Sequence, residues 1–183
     1  MIEKYIELPF TNEMILSLRV GEKLFLSGKL LTARDAAHKR MSDYLKAGDT
    51  LPFEIDKNCL YYCGPTPAKE GFPIGACGPT TSSRMDSYTD ILFQNGLRCM
   101  IGKGNRSIEV IELIKQHKGI YLVAIGGAGA LYGKTVLKSR CIAWEDLGTE
   151  AIYELEVKDF PCYVGIDVEG NNIYKAIINQ DKI

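Results

Sequence analysis

Apolar residues along the chain fall into short runs in some stretches and recur every three or four positions in others, and the two patterns alternate. Residues 23–31 read as a strand. Ala37, Met41, Tyr44 and Leu45 share one face of a helix over about 33–47, which Gly48 stops. A short buried strand over 60–63 precedes a Pro/Gly-rich loop over 64–79. A second helix over about 84–94 buries Met85, Tyr88 and Leu92. A strand over 97–101, a helix over 106–117 and a strongly apolar strand over 120–125 follow. After Lys134 the pattern becomes strand-like: 138–144, 151–157 and 163–168, then a Glu-Gly-Asn-Asn turn over 169–172 and a final strand-like segment. No repeat, low-complexity tract or linker interrupts the chain, so residues 1–183 are expected to form a single domain. The alternation predicts an α/β fold: a mostly parallel sheet with crossover helices and a strand-rich C-terminal part. In such sheets the site lies where strands end and helices begin.

Each of three such turns carries a cation. Thr32 and Asp35 have capping-box spacing, which puts Arg34 in a first helical turn, and Ser83 with Asp86 does the same for Arg84. In the third, Asn105 is the expected cap, and Lys103 stands between Gly102 and Gly104. A cation at a helix N-terminus is unfavourable by roughly 0.3–1 kcal/mol, so three of them suggest a bound anion as compensation. Arginine's planar fork suits a carboxylate, and the hydroxyl run Thr80, Thr81, Ser82, Ser83 supplies donors at the same place.

Four segments occur in order: Leu30-Leu31-Thr32-Ala33-Arg34-Asp35-Ala36-Ala37-His38, Tyr62-Cys63-Gly64-Pro65-Thr66-Pro67, Gly78-Pro79-Thr80-Thr81-Ser82-Ser83-Arg84-Met85-Asp86 and Gly102-Lys103-Gly104-Asn105. Together they resemble the beta subunit of the iron–sulfur hydro-lyases, the class I fumarase and L(+)-tartrate dehydratase family, over nearly the whole chain. Members often carry Gly or Ala where this chain has Ser83. The resemblance implies a swivelling β/β/α domain, a partner alpha subunit in an α2β2 heterotetramer, and a 4Fe-4S cluster held by that partner and not by this chain. It assigns Thr80 as catalytic base and Arg34, Arg84 and Lys103 to the carboxylates of a small dicarboxylate, with Thr81 and Ser82 beside them. Fumarate hydration to L-malate is the implied reaction, with tartrate dehydration as the alternative. Cations around a dianion suit it, because removing a proton next to a carboxylate builds further negative charge. His38, one turn after Arg34 on the same side, is a further candidate for the site.

Composition narrows the classes. With 22 basic and 23 acidic residues the net charge is −1, which argues against a nucleic-acid module. The longest uncharged stretch, between Lys118 and Lys134, is Gly-rich and shorter than the roughly 20 apolar residues of a membrane span. The first twenty residues scatter their charges and do not read as a secretory signal, so the expected compartment is the cytoplasm and the six cysteines are expected as reduced thiols. Cys59, Cys63 and Cys77 lack the spacing of a zinc ribbon. His117 fits a helix C-terminus. Residues 128–135 nearly copy a phosphate-binding loop, but 136–142 read as a strand where that motif needs a helix. A nucleotide-binding protein using that loop and a non-catalytic module that binds a dicarboxylate are the competing classes.

Overall fold

In the computed structural model, which describes residues 2–56 and 58–175, the chain opens with strand β1 (Glu3–Glu7), a short helix α1 (Asn12–Ser17) capped by Thr11, and strand β2 (Lys23–Thr32). Helix α2 (Asp35–Lys46) leads to β3 (Cys59–Tyr61), α3 (Asp86–Gln94) to β4 (Cys99–Gly102), and α4 (Ile108–His117) to β5 (Ile120–Val123). Helix α5 (Gly129–Thr135) runs directly into β6 (Val136–Ala143), and the chain returns along the long strand β7 (Ile152–Ile166). The strands form one sheet in the order β1-β2-β3-β4-β5-β7-β6. Neighbours from β1 to β5 are parallel, and β7 is antiparallel to β2, β5 and β6. The expected α/β class and crossover helices are present. The sheet is mixed, with four parallel and three antiparallel pairings, and the described strands all belong to it.

Because β7 pairs with both β2 and β5, the pairings through β2, β3, β4, β5 and β7 close on themselves. Alternate side chains therefore enter two separate cores. Leu24, Leu26, Tyr61, Ile101, Leu122, Phe160 and Cys162 fill the inner one. Leu31, Leu60, Met100 and Tyr121 face the other way and pack with Ala37 and Met41 of α2, Leu92 and Phe93 of α3, and Ile111 and Ile114 of α4. Burial on both faces explains why these strands are nearly continuous apolar runs.

Several expectations need correction. The two strands expected over 151–157 and 163–168 are one. The polar pair Lys158-Asp159 looked like a break, but it forms a bulge opposite Ser27: Leu26 pairs with Phe160 and Gly28 with Val157. Asp159 takes a positive φ there and its N–H donates to Ser27 Oγ. The final segment is helical over 173–175, and the rest of it lies outside the described residues. Cys59 and Cys99 are not free thiols. They are register partners on adjacent strands with side chains on the same face, and they are joined as a disulfide. Cys63, Cys77 and Cys162 are free and buried, as expected of reduced cysteines.

A cation sits inside the helix-facing core. The Arg106 side chain is fully buried between the rings of Tyr62 and Tyr121. Its Nε donates to Asp86 Oδ1 at 2.6 Å and its Nη2 to Thr89 Oγ1 at 2.9 Å. The other Asp86 oxygen accepts the Ser107 N–H, so one carboxylate ties the start of α3 to the start of α4. Arg106→Ala would strand that carboxylate. The expected loss is about 3–5 kcal/mol in urea unfolding, against less than about 1 kcal/mol for the exposed pair in Lys39→Ala.

Candidate active site

The parallel strands β2, β3, β4 and β5 end on one side of the sheet, and the candidate residues follow those ends. Arg34 comes two residues after β2 and Lys103 directly after β4. Thr80 reaches the same place by a route the sequence did not suggest. Tyr62 N–H donates to Ile101 C=O, continuing the β3–β4 ladder by one rung. The chain then leaves through the 64–79 loop and comes back between the two strand ends. Thr80 N–H donates to Tyr62 C=O at 2.6 Å, Lys103 N–H to Thr80 C=O at 3.3 Å, and Ser82 N–H to Lys103 C=O at 2.9 Å. Thr81 and Lys103 thus form a parallel bridge, and the hydroxyl run is spliced into the sheet.

The three expected helix caps are all displaced. Arg34 is itself the N-cap of α2, and Thr32 ends β2 with its Oγ1 accepting the Tyr153 N–H. Ser83 lies inside a 3-10 turn over Ser82–Met85 that precedes α3. Helix α4 is capped by Ser107, whose Oγ accepts the Val110 N–H, while Asn105 Oδ1 accepts from Arg106 N–H and Asn172 Nδ2. Thr32 and Asn105, two side chains with capping ability, are drawn instead into bonds with residues distant in sequence.

The cations have partners that spacing alone did not reveal. Arg84 grips Asp35 with two bonds, Nε to Oδ1 at 2.8 Å and Nη2 to Oδ2 at 2.8 Å. Arg34 Nε lies 3.2 Å from the same Asp35 Oδ2 and 3.4 Å from Glu150 Oε1. Glu150 Oε2 accepts the Ala36 N–H at 2.7 Å and so satisfies a first-turn amide of α2 that has no partner within the helix. Burial works against the Asp35 charge, but hydrogen bonds from the backbone and Arg34, with the Arg84 cation, hold its carboxyl below the usual range. Gly64 makes room for the Arg34 stem, since a Cβ there would stand 2.7 Å from Arg34 Cδ. Asp35 and Glu150 are the site residues that sequence reasoning missed. Asp35 was visible beside Arg34 but was read as a cap.

Lys103 differs from the two arginines. Its stem lies along Gly126, in the turn after β5, and its ammonium has no carboxylate partner among the described residues. Thr80 is half-buried and Thr81 exposed, whereas the Ser82 hydroxyl is fully buried on Tyr121 Oη at 2.9 Å. The Ser82 hydroxyl is therefore turned into the core, and its N–H is taken up by Lys103 C=O. His38 is also buried. Its Nδ1 donates to Arg34 C=O at 3.1 Å, its ring meets Tyr62 edge-on, and Nε2 has no partner among the described residues. It braces the backbone of Arg34 from below.

The segment 128–135 is no phosphate loop. Residues Gly129–Thr135 are themselves a helix that ends where β6 begins, and Gly129 packs against the backbone of Gly78. Nor do the cysteines fit an iron–sulfur cluster. Among the described residues no three His, Cys, Asp or Glu side chains converge as metal ligands. The Cys63 and Cys77 sulfurs touch at 3.3 Å, and that hydrogen bond and burial raise the Cys63 thiol, while burial raises Cys162.

Residues 3–177 match the model of the family described as Fumarase C-terminus. The chain belongs to that family. It is 40% identical over 163 residues to the anaerobic class I fumarate hydratase of Escherichia coli K12, covering 88% of this chain and 30% of that protein. With fumarate hydratase 2 of Leishmania major it shares 42% identity over 162 residues, covering 87% of this chain and 28% of the relative. The chain therefore spans less than a third of these two fumarate hydratases. A protein named putative L(+)-tartrate dehydratase subunit beta, from Methanocaldococcus jannaschii, is 34% identical over 173 residues, covering 91% of this chain and 89% of that one. In this member of the Fumarase C-terminus family, no helix among the described residues is long and apolar enough to cross a membrane.

His38 gives a pH test of the site's foundation. Burial, with the Arg106 cation adding to it, pulls the imidazole down to about 4 against the Arg34 carbonyl and Asp35, which favour the charged form. The unfolded state then binds the extra proton, so stability is complete above about pH 6.5 and falls as pH drops toward 4. Urea unfolding at pH 7 and at pH 4 should differ by roughly 3 kcal/mol more for the native chain than for His38→Gln.

Proposed function

We propose that this chain is the dicarboxylate-binding half of a hydro-lyase, acting with a partner polypeptide to interconvert fumarate and L-malate. Lys103 carries the reading. It is an ammonium without a carboxylate partner among the described residues, held in register with Thr81 at the end of a parallel strand, next to the threonine that the family resemblance makes a base. Arg34 and Arg84 stand on the neighbouring turns with guanidinium nitrogens left over from their ion pairs. Cations set around a four-carbon dianion stabilise the extra charge that forms when a proton leaves the carbon next to a carboxylate. In this assignment the three cations hold and orient the two carboxylates. In the dehydration direction Thr80 Oγ, as an alkoxide whose own proton has passed to a group of the partner polypeptide, takes the carbon-bound proton, and in hydration the hydroxyl so formed returns it to carbon. A free threonine hydroxyl is a weak base, and a nearby ammonium favours its ionised form.

The remaining two thirds or more of the fumarate hydratase relatives correspond to the partner. We assign a 4Fe-4S cluster to it, whose chemistry when bound is Lewis-acid activation of the hydroxyl that leaves as water. No step is assigned to a cluster on this chain. The assembly is read as an α2β2 heterotetramer in the cytoplasm, with residues 1–183 as a single swivelling β/β/α domain. Tartrate dehydration is the second reading, favoured by the M. jannaschii relative of similar length.

Kinetics of the assembled enzyme test these roles. Thr80→Val should lower kcat by about 10²–10⁴-fold with KM little changed, and Thr80→Ser should keep most of it. Arg84→Lys should raise KM by about tenfold or more, because an ammonium lacks the two-pronged grip. Running the same assays with fumarate and with L-tartrate decides between the two substrates.

A further inference from the structure

We propose that Asp35 is a positioning residue that sets both arginines at the angle the substrate needs. The inference rests on the substrate role given to Arg34 and Arg84 above. A guanidinium offers five N–H donors along three edges. Asp35 occupies the Nε/Nη2 edge of Arg84 with two bonds of 2.8 Å, and it takes the Nε of Arg34 at 3.2 Å. What remains is Nη1 and the second N–H of Nη2 on Arg84, and both Nη groups of Arg34, none of which has a further partner among the described residues. One carboxylate thus fixes the planes of two guanidinia and leaves their outer edges open.

The surroundings show that this arrangement is built. Glu150 closes the other side of Arg34 Nε at 3.4 Å while anchored on the Ala36 amide. Gly64 leaves the channel that the Arg34 stem follows, and His38 holds the Arg34 carbonyl from inside the core. Asp35 is the first residue of α2, so its own backbone is fixed by the helix. Arg84 comes from a different turn, after β3, and half of its side chain is exposed. Without Asp35 the two like charges would repel and the long Arg84 side chain would be free to turn.

Loss of orientation has a kinetic signature distinct from loss of binding. Asp35→Asn removes one negative charge and one acceptor, so the arginines become more attractive to a dianion but lose their fixed planes. In the enzyme assembled with its partner, Asp35→Asn should lower kcat by about tenfold or more while KM stays level or falls. Asp146→Asn breaks a comparable two-bonded pair with Arg40 on the same helix and should change neither constant. As a direct readout, the side-chain Nε–H signals of Arg34 and Arg84 in the 15N spectrum of the full chain should be sharp in the native protein and broadened in Asp35→Asn. The proposal is overturned if Asp35→Asn leaves kcat unchanged, or if both Nε–H signals persist in it. Unchanged KM in Arg84→Ala would overturn it by a different route, by removing the substrate role of Arg84.

Discussion

Hydrogen bonds from the amides of Thr80, Ser82 and Lys103 splice residues 80–82 between the ends of β3 and β4, and the geometry of the candidate site follows from that splice. A threonine on a free loop would sample many positions relative to the strands. Held by a ladder, Thr80 and Thr81 have fixed neighbours, and the 3-10 turn that follows delivers Arg84 within four residues. The ladder is itself anchored. Ser82 buries its hydroxyl on Tyr121, whose ring faces the Arg106 guanidinium, and Arg106 is locked to Asp86 at the start of α3. Space is reserved for it too, since a Cβ at Gly102 would fall on the Ser82 side chain and 2.9 Å from the Tyr62 ring.

Charge is arranged in two tiers above this frame. Arg34 and Arg84 are neutralised by Asp35 and Glu150 before any ligand arrives, which lets two guanidinia stand close without strong repulsion. Lys103 is left as the uncompensated cation among the candidates. A dianion entering such a site meets a net attraction set by Lys103 and an orientation set by the arginines. Internal counter-ions reduce raw affinity but fix direction, and direction is what the proposed reaction at one carbon of fumarate would require.

Much of the fold was legible from hydrophobic pattern, because helices α2, α3 and α4 and strands β2 to β5 each carry a full buried face. The bulge at Lys158 and Asp159 hid the continuity of β7, since a polar pair with a positive φ has the composition of a turn. Helix α5 was missed because Gly129 and Gly133 in a seven-residue span read as a loop. The candidate cations were also visible, segment by segment, next to strand ends. Their electrostatics were not. Helix dipoles alone leave Arg34 and Arg84 without carboxylate partners, but Arg84 is paired with Asp35 across a gap of 49 residues, and Arg34 meets Glu150 from the turn before β7. Pairings of that range depend on topology, as does the joining of Cys59 to Cys99 across neighbouring strands.

The most direct test of the cradle is a structure of the chain assembled with its partner and a non-reacting four-carbon dicarboxylate such as succinate. The account predicts one carboxylate on the outer guanidinium edges of Arg34 and Arg84, with both arginines still on Asp35. It also predicts the Lys103 ammonium within hydrogen-bond distance of the ligand and Thr80 Oγ facing its central carbons. A dianion bound away from these residues, or one that displaces Asp35 from Arg84 to reach it, would contradict the account.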